Sequence, residues 1–190
     1  MSQAASLEPR YTTDEYFRLA ETGALRPDDR AELLEGVIVA MSPQNPRHAA
    51  HTKRAYDVLR DAVGERAVVR SQLPLVTSSY SAPEPDVTVV PGREADYYAR
   101  HPDTALLVVE VADTSLVQDR LTKVGLFAAA AIPEYWIVNL RDACVEVFCN
   151  PEPAAGRYAS LRIAHRGEEL ALVVLPGVSV PVDALLPEDL

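Results

Sequence analysis

Cysteine is nearly absent from this 190-residue chain: only Cys144 and Cys149 occur. They lie five apart, which puts them on opposite faces of a strand, so they should not pair. Neither belongs to a CxxC pattern, so zinc and redox chemistry find no support and two small apolar side chains are expected. Long hydrophobic runs are lacking too. Stretches such as 126–133 fall well short of the roughly 18 residues a membrane helix needs. The start, MSQAASLEPR, has no basic segment followed by an apolar block, so no secretory signal is read there and cytoplasmic residence is expected. Positive charge is scarce: 18 Lys and Arg stand against 28 Asp and Glu, a formal net charge of -10. A field of that sign excludes coating of DNA or an anionic membrane by overall charge. Contact with a polyanion must use a local basic patch or bound cations. Internal repeats and low-complexity linkers are also missing.

What is present suits one globular domain. Hydrophobic residues make up 48% and charged residues 24%, the balance of an ordinary core and surface. Residues 1–10 read as a flexible tail and 11–190 as a single domain. Thr12 with Glu15 forms a capping box ahead of a short helix that turns Tyr16, Phe17 and Leu19 inward. The segment AELLEGVIVAM, 31–41, flanks Glu35-Gly36 with apolar runs, a tight-hairpin pattern. Helical spacing follows over 47–63, with Ala50, Ala55, Val58, Leu59 and Ala62 on one side. Strands are expected at 67–70, 73–77 and 86–90. TALLVVEVA, 104–112, reads as a central strand buried on both faces. A helix is expected from Ser115, with Gln118 three later, to about Ala131. Strands then follow at 135–140 and 144–148, joined by a turn at 139–142, with shorter ones near 157–165, 168–174 and 178–181. The pattern is an α/β (α+β) domain: a mixed sheet flanked by about three helices.

The exceptions to this apolar pattern carry the chemistry. Glu110 interrupts an otherwise apolar strand, where an unpaired carboxylate is costly, so it needs a cation, a proton or a donor. Asp86 opens another core strand directly after Pro83-Glu84-Pro85. If the two strands are neighbours, both acids converge at one sheet end, and a divalent cation would relieve their repulsion. Such oxygen ligands suit Mg²⁺ or Mn²⁺. Asp119 and Lys123, at i and i+4 on the next helix, share a face. Lys123 and Lys53 are the only lysines among the 18 basic residues. A compact ammonium retained where arginine is the default suggests a group that holds a water or a phosphate oxygen. Tyr135 and Trp136 read as core.

The ordered set resembles the PD-(D/E)xK nuclease superfamily, and more closely the bacterial Uma-two family of endonucleases. It comprises Tyr11-Thr12, AELLEGVIVAMSP, Arg47-His48, PEPDVTVV, LLVVEVADTS, Asp119 with Lys123, and IPEYWIVNL (132–140). The resemblance implies a restriction-endonuclease-like fold. It also implies that Asp86 and Glu110 bind metal, with the Val111 carbonyl as a further ligand and Glu32 as an upstream acid that assists. Lys123 would be the family's lysine, Asp119 would orient it, and His48 would approach a phosphate. The wider superfamily places its lysine two residues after the glutamate, where this chain has Ala112. Lys123 must therefore reach the site from the next helix.

Residues 41–70 carry six basic and three acidic side chains, the one stretch with a basic surface for a phosphate backbone. No helix-turn-helix or zinc-finger signature accompanies it. The expected function is Mg²⁺- or Mn²⁺-dependent hydrolysis of DNA phosphodiester bonds, with a homodimer as the expected assembly. Two alternatives stay open: a catalytically idle nucleic-acid-binding or oligomeric module of the same fold, and a hydrolase of smaller phosphoesters.

Overall fold

A computed structural model describes residues 10–26, 28–113 and 116–187. The tail read at 1–10 falls outside these residues except for Arg10, and Ser115, the expected helix start, also lies outside them.

The capping box forms. Thr12 accepts from the Glu15 N–H at 3.2 Å, and the Glu15 carboxylate takes the Thr12 N–H at 2.8 Å, opening helix α1 (Thr13–Glu21). Strands β1 (Ala31–Leu34) and β2 (Val37–Ala40) then form an antiparallel hairpin. Its turn, Glu35-Gly36, has both residues at positive φ (48° and 85°), as the twist-matched hairpin turn requires. Gly36 has a second reason to be glycine, since a Cβ there would sit 2.7 Å from the Arg10 Cβ.

Helix α2 (Pro46–Val63) starts at Asn45, whose side chain accepts from the His48 N–H. Its buried face is Thr52, Ala55, Leu59 and Val63. Ala50 is exposed, because at about 100° per residue it lies on the opposite side of the helix from Thr52 and Leu59.

The central sheet has six strands in the order β3 (Val68–Arg70), β4 (Val87–Val90), β5 (Leu107–Ala112), β6 (Glu134–Asn139), β7 (Cys144–Glu152) and β8 (Arg157–Ala164). Every neighbouring pair is antiparallel except β5–β6, which is parallel. Parallel neighbours need a crossover. Here it consists of α3 (Leu116–Gln118), a π-helical turn (Asp119–Lys123) and α4 (Val124–Ala129). Ala131 at φ 56° follows the end of α4.

Strand β5 is buried along its whole length. Leu107, Val109 and Val111 pack with Ala55, Leu59 and Trp136 on the α2 face. Val108 and Ala112 pack with Phe127, Tyr135 and Phe148 beneath the crossover. Tyr135 and Trp136 are both fully buried, as core residues. Cys144 and Cys149 are free. The small hairpin β9 (Glu169–Ala171) and β10 (Ser179–Pro181), with helix α5 (Val182–Leu185), completes the α2-side cluster.

The strand expected at 73–77 does not form. Pro74 has no N–H to give a ladder, and Gln72 sits at φ 53°. The segment instead runs extended and is pinned by isolated bonds, such as Val76 N–H to Pro102 O at 2.9 Å.

Candidate active site

The register of the sheet brings the two acids together. Val87 pairs with Val109, so the next step along the antiparallel ladder puts Asp86 opposite Glu110. Strand β4 begins only at Val87, and Asp86 uses its side chain just before the ladder starts. Its Oδ2 accepts the Val111 N–H at 2.8 Å, while its own N–H points to Glu110 Oε2 at 3.4 Å. Both carboxylates are buried.

Lys123 arrives from the crossover. Its Nζ donates to Glu110 Oε1 at 2.8 Å and lies 3.9 Å from Asp119 Oδ1. The expectation of a plain α-helix here is corrected: Asp119–Lys123 form a π-helical turn, a local widening often found at functional sites. Both side chains still face inward and are buried. The Tyr135 hydroxyl, 3.5 Å from the Asp119 carbonyl, supports the turn from below.

His48 closes the group from the first turn of α2. Its Nε2 lies 3.0 Å from Asp86 Oδ1. Asp86 raises the imidazole pKa against the effect of burial, and a backbone hydrogen bond with Val111 adds to the rise. The upward shift favours the imidazolium form beside Asp86 and the Val111 backbone. Burial works to raise the Asp86 pKa, but His48, the Val111 N–H and Lys123 together outweigh it and hold the carboxyl below its ordinary value. Glu110 is pushed well above its ordinary value by burial, helped by Asp86 and Asp119 and opposed by Lys123. Lys123 is driven the other way: burial lowers its pKa, but Glu110, Glu32 and Asp119 together raise it, so it stays an ammonium.

Glu32, buried on β1, faces the same cavity, and its Oε2 accepts the Glu84 N–H at 3.2 Å. All the expected side chains (Glu32, His48, Asp86, Glu110, Asp119 and Lys123) line one cavity of about 310 Å³. Val111 does not line the cavity itself; its backbone bonds Asp86 and His48, which do. Glu84 and Arg30, which sequence reasoning passed over, line it as well. Glu84 sat in view inside PEPD, and Arg30 lies two residues before Glu32, on the same face of an extended strand. Gln72 also reaches in, its Nε2 3.4 Å from Asp86 Oδ1.

Five acidic side chains against three basic ones suit a divalent cation in donor type and charge. Among the described residues no group of three or more His, Cys, Asp or Glu side chains is arranged to hold a metal ion. Carboxylate oxygens of Asp86, Glu110 and Glu32 are instead engaged by His48, Lys123 and backbone N–H groups. Asp86 would have to exchange His48 for the metal.

The basic stretch is largely committed to internal contacts. Arg47 binds Asp113 at 3.1 Å and the Leu140 carbonyl at 2.8 Å, tying α2 to the ends of β5 and β6. Lys53 pairs with Asp57, and Arg60 with Asp61 at 3.0 Å. Arg54 donates to the Ala184 carbonyl at 2.7 Å, Arg66 to that of Pro176 at 2.9 Å, and Arg70 lies over the Tyr97 ring.

A second ionic cluster adjoins the π-turn and was not foreseen. Arg120 forks onto Glu146 at 2.8 and 2.5 Å, and Asn139 also donates to Glu146 at 3.1 Å. Glu146 and Asn139 are both buried. The alternation that marks Glu110 as an intruder also marks Glu146 within CVEVF.

With this geometry in place, the comparisons with known proteins are consistent. A family model, Uma2, described as "Putative restriction endonuclease", matches residues 13–183. No curated protein matches. Among solved structures, "a putative nuclease belonging to DUF820" from Anabaena variabilis is similar, with a TM-score of 0.66 at 17% identity, over 92% of this chain and 96% of that one. Identity that low speaks for a shared fold. The family match spans most of the chain, so this protein belongs to the Uma2 family.

Proposed function

We propose that the protein is a metal-dependent endonuclease that hydrolyses DNA phosphodiester bonds at the cavity of Asp86, Glu110 and Lys123. The observation that carries this reading is the convergence of two buried carboxylates from adjacent strands with a buried ammonium from the crossover. Membership of a family described as endonucleases supports the reaction class.

Asp86 and Glu110 would hold Mg²⁺ or Mn²⁺, with the Val111 carbonyl and Glu32 as further oxygen donors. When bound, the cation would neutralise charge on the phosphate and acidify a water. Lys123 stays protonated, so its task is not general base. Its N–H donors beyond the bond to Glu110 would orient water for in-line attack on phosphorus and stabilise charge on a phosphate oxygen. Asp119 keeps the ammonium on the cavity side. His48, released by Asp86, would donate to a phosphate oxygen. A homodimer belongs to the same reading, since cutting both strands of a duplex calls for two sites. Among the described residues no helix is long and apolar enough to cross a membrane.

The direct test is cleavage of supercoiled, linear, single-stranded and branched DNA with Mg²⁺ or Mn²⁺, beside Asp86→Ala and Lys123→Ala. Metal-dependent cutting lost in both variants is the expected result. Equal cutting by parent and variants would overturn it.

A second reading, a binding module without catalysis, draws on one observation: the cations of 41–70 are spent on internal contacts. It predicts Mn²⁺-dependent DNA binding by a folded parent with no cleavage.

A further inference from the structure

A substrate strand brings one negative charge per phosphate, and a cavity walled by carboxylates must meet that charge with its basic side chains. Three basic side chains face the cavity. Lys123 is bonded to Glu110 at 2.8 Å and His48 to Asp86 at 3.0 Å. Arg30, the third, forms no side-chain hydrogen bond or ion pair among the described residues. It does lie close enough to Glu84 to oppose the rise that burial imposes on that carboxyl.

Its backbone holds it in place. The Arg30 carbonyl accepts the Met41 N–H at 2.8 Å, extending the β1–β2 ladder by one step. Alternation along that strand puts Arg30 on the Glu32 side, where both line the cavity. Arg30 and Glu84 also line a second, adjoining cavity of about 450 Å³, whose wall includes Gln72 and Tyr16. The other arginine there, Arg26, is forked onto Asp29 at 3.2 and 3.0 Å and is already spent. Arg30 thus stands at the junction of the two cavities as the cation without a bonded carboxylate. A guanidinium in that position is suited to a phosphate, which it can grip with two parallel N–H bonds.

We propose that Arg30 binds the backbone phosphate next to the scissile one, on a path running from the Asp86–Glu110 cavity into the Gln72–Tyr16 cavity. The site would then take a strand with at least two phosphodiesters in preference to a lone phosphodiester. This rests on the nuclease reading above.

The test compares kcat/KM for a short single-stranded oligonucleotide and for bis(p-nitrophenyl) phosphate in the parent, Arg30→Ala and Arg30→Lys. Wild type should favour the oligonucleotide. Arg30→Ala should cut that preference about tenfold or more, mainly through KM, as loss of a charged hydrogen bond would. Arg30→Lys should restore part of it, because a point charge survives without the fork. The slope of log affinity against log salt should fall by about one in Arg30→Ala. An unchanged preference, an equal loss on both substrates, or a parent with no preference would overturn the role of Arg30 and leave the nuclease reading standing. A parent that cleaves neither substrate would overturn that reading, and this inference with it.

Discussion

Lys123 and Glu110 meet as a buried ion pair, Nζ to Oε1 at 2.8 Å, although one lies on a π-turn and the other on the central strand. Each is 8% exposed or less at the side chain, so neither has water to replace its partner. Breaking such a pair from one side leaves an uncompensated buried charge and costs about 3–5 kcal/mol. Lys123→Met should therefore lose both cleavage and about that much stability. The double variant Lys123→Met with Glu110→Gln should cost less than Lys123→Met alone. Urea unfolding of the parent, Lys123→Met, Glu110→Gln and the double variant checks this, and a double variant at least as unstable as Lys123→Met would contradict it.

Stability of the metal-free protein should follow the titration of the His48–Asp86 pair. His48 has a folded pKa raised from 6.5. Its contribution is fully present below about pH 6.5 and is lost as pH rises through the raised value. Asp86 has a folded pKa lowered from 3.8. Its contribution is present above about pH 3.8 and is lost as pH falls through the depressed value. His48→Gln should remove the decline on the alkaline side. Unfolding free energies measured from about pH 5 to 9 would expose a failure as two parallel curves.

Divalent metal should bind through Asp86 and Glu110. Mn²⁺ should raise the melting temperature of the parent, since a ligand of the folded state stabilises it by mass action. Asp86→Asn should abolish the rise, and titration calorimetry should find no matching heat in that variant. A rise of the same size in parent and variant would place the metal elsewhere.

Glu146 should act on the site through Arg120. Glu146→Ala leaves both the Arg120 guanidinium and the buried Asn139 amide without this acceptor, at a cost of about 1.5–3 kcal/mol for the charged bonds. Because Arg120 lies between Asp119 and Lys123 on the π-turn, kcat should fall while Mn²⁺ affinity stays close to that of the parent. Glu146→Asp should recover part of the rate. A stability loss without any change in kcat would reduce the cluster to scaffolding.

The helical charges should matter little for DNA. Lys53 and Arg60 are neutralised by Asp57 and Asp61 on their own helix. Lys53→Gln with Arg60→Gln should change DNA affinity no more than about twofold, within the range of a weak exposed pair. Fluorescence anisotropy at two salt concentrations would detect a larger drop.

Much of the candidate site could be read directly from residue order. Glu110 stood out because it breaks an apolar strand, and Asp86 because a rigid Pro-Glu-Pro precedes it. The capping box at Thr12 and the Glu35-Gly36 turn are local motifs, settled by bonds three residues apart or by backbone twist, and both formed where expected. Arg30, Glu84 and the Arg120–Glu146 fork were not legible in the same way. Glu146 interrupts its strand and Glu84 lies within PEPD, but nothing local pairs Glu146 with Arg120 or brings Glu84 and Arg30 to one cavity, and their roles depend on which wall they share.

The chain's sequence by itself determined most of the strands, the main helices and the acids that interrupt the core, because alternation, caps and turns act over a few residues. Tertiary structure decided the rest. The parallel β5–β6 pairing forces a crossover over one face of the sheet, and that carries Lys123 to Glu110. Pro74 and the positive φ of Gln72 keep 73–77 out of the sheet. Packing spends the cations of 41–70 on internal partners and leaves Arg30 at the cavity junction without a bonded carboxylate. Charge balance at a buried site is a sum over elements distant in sequence, and only their packing fixes which charges enter it.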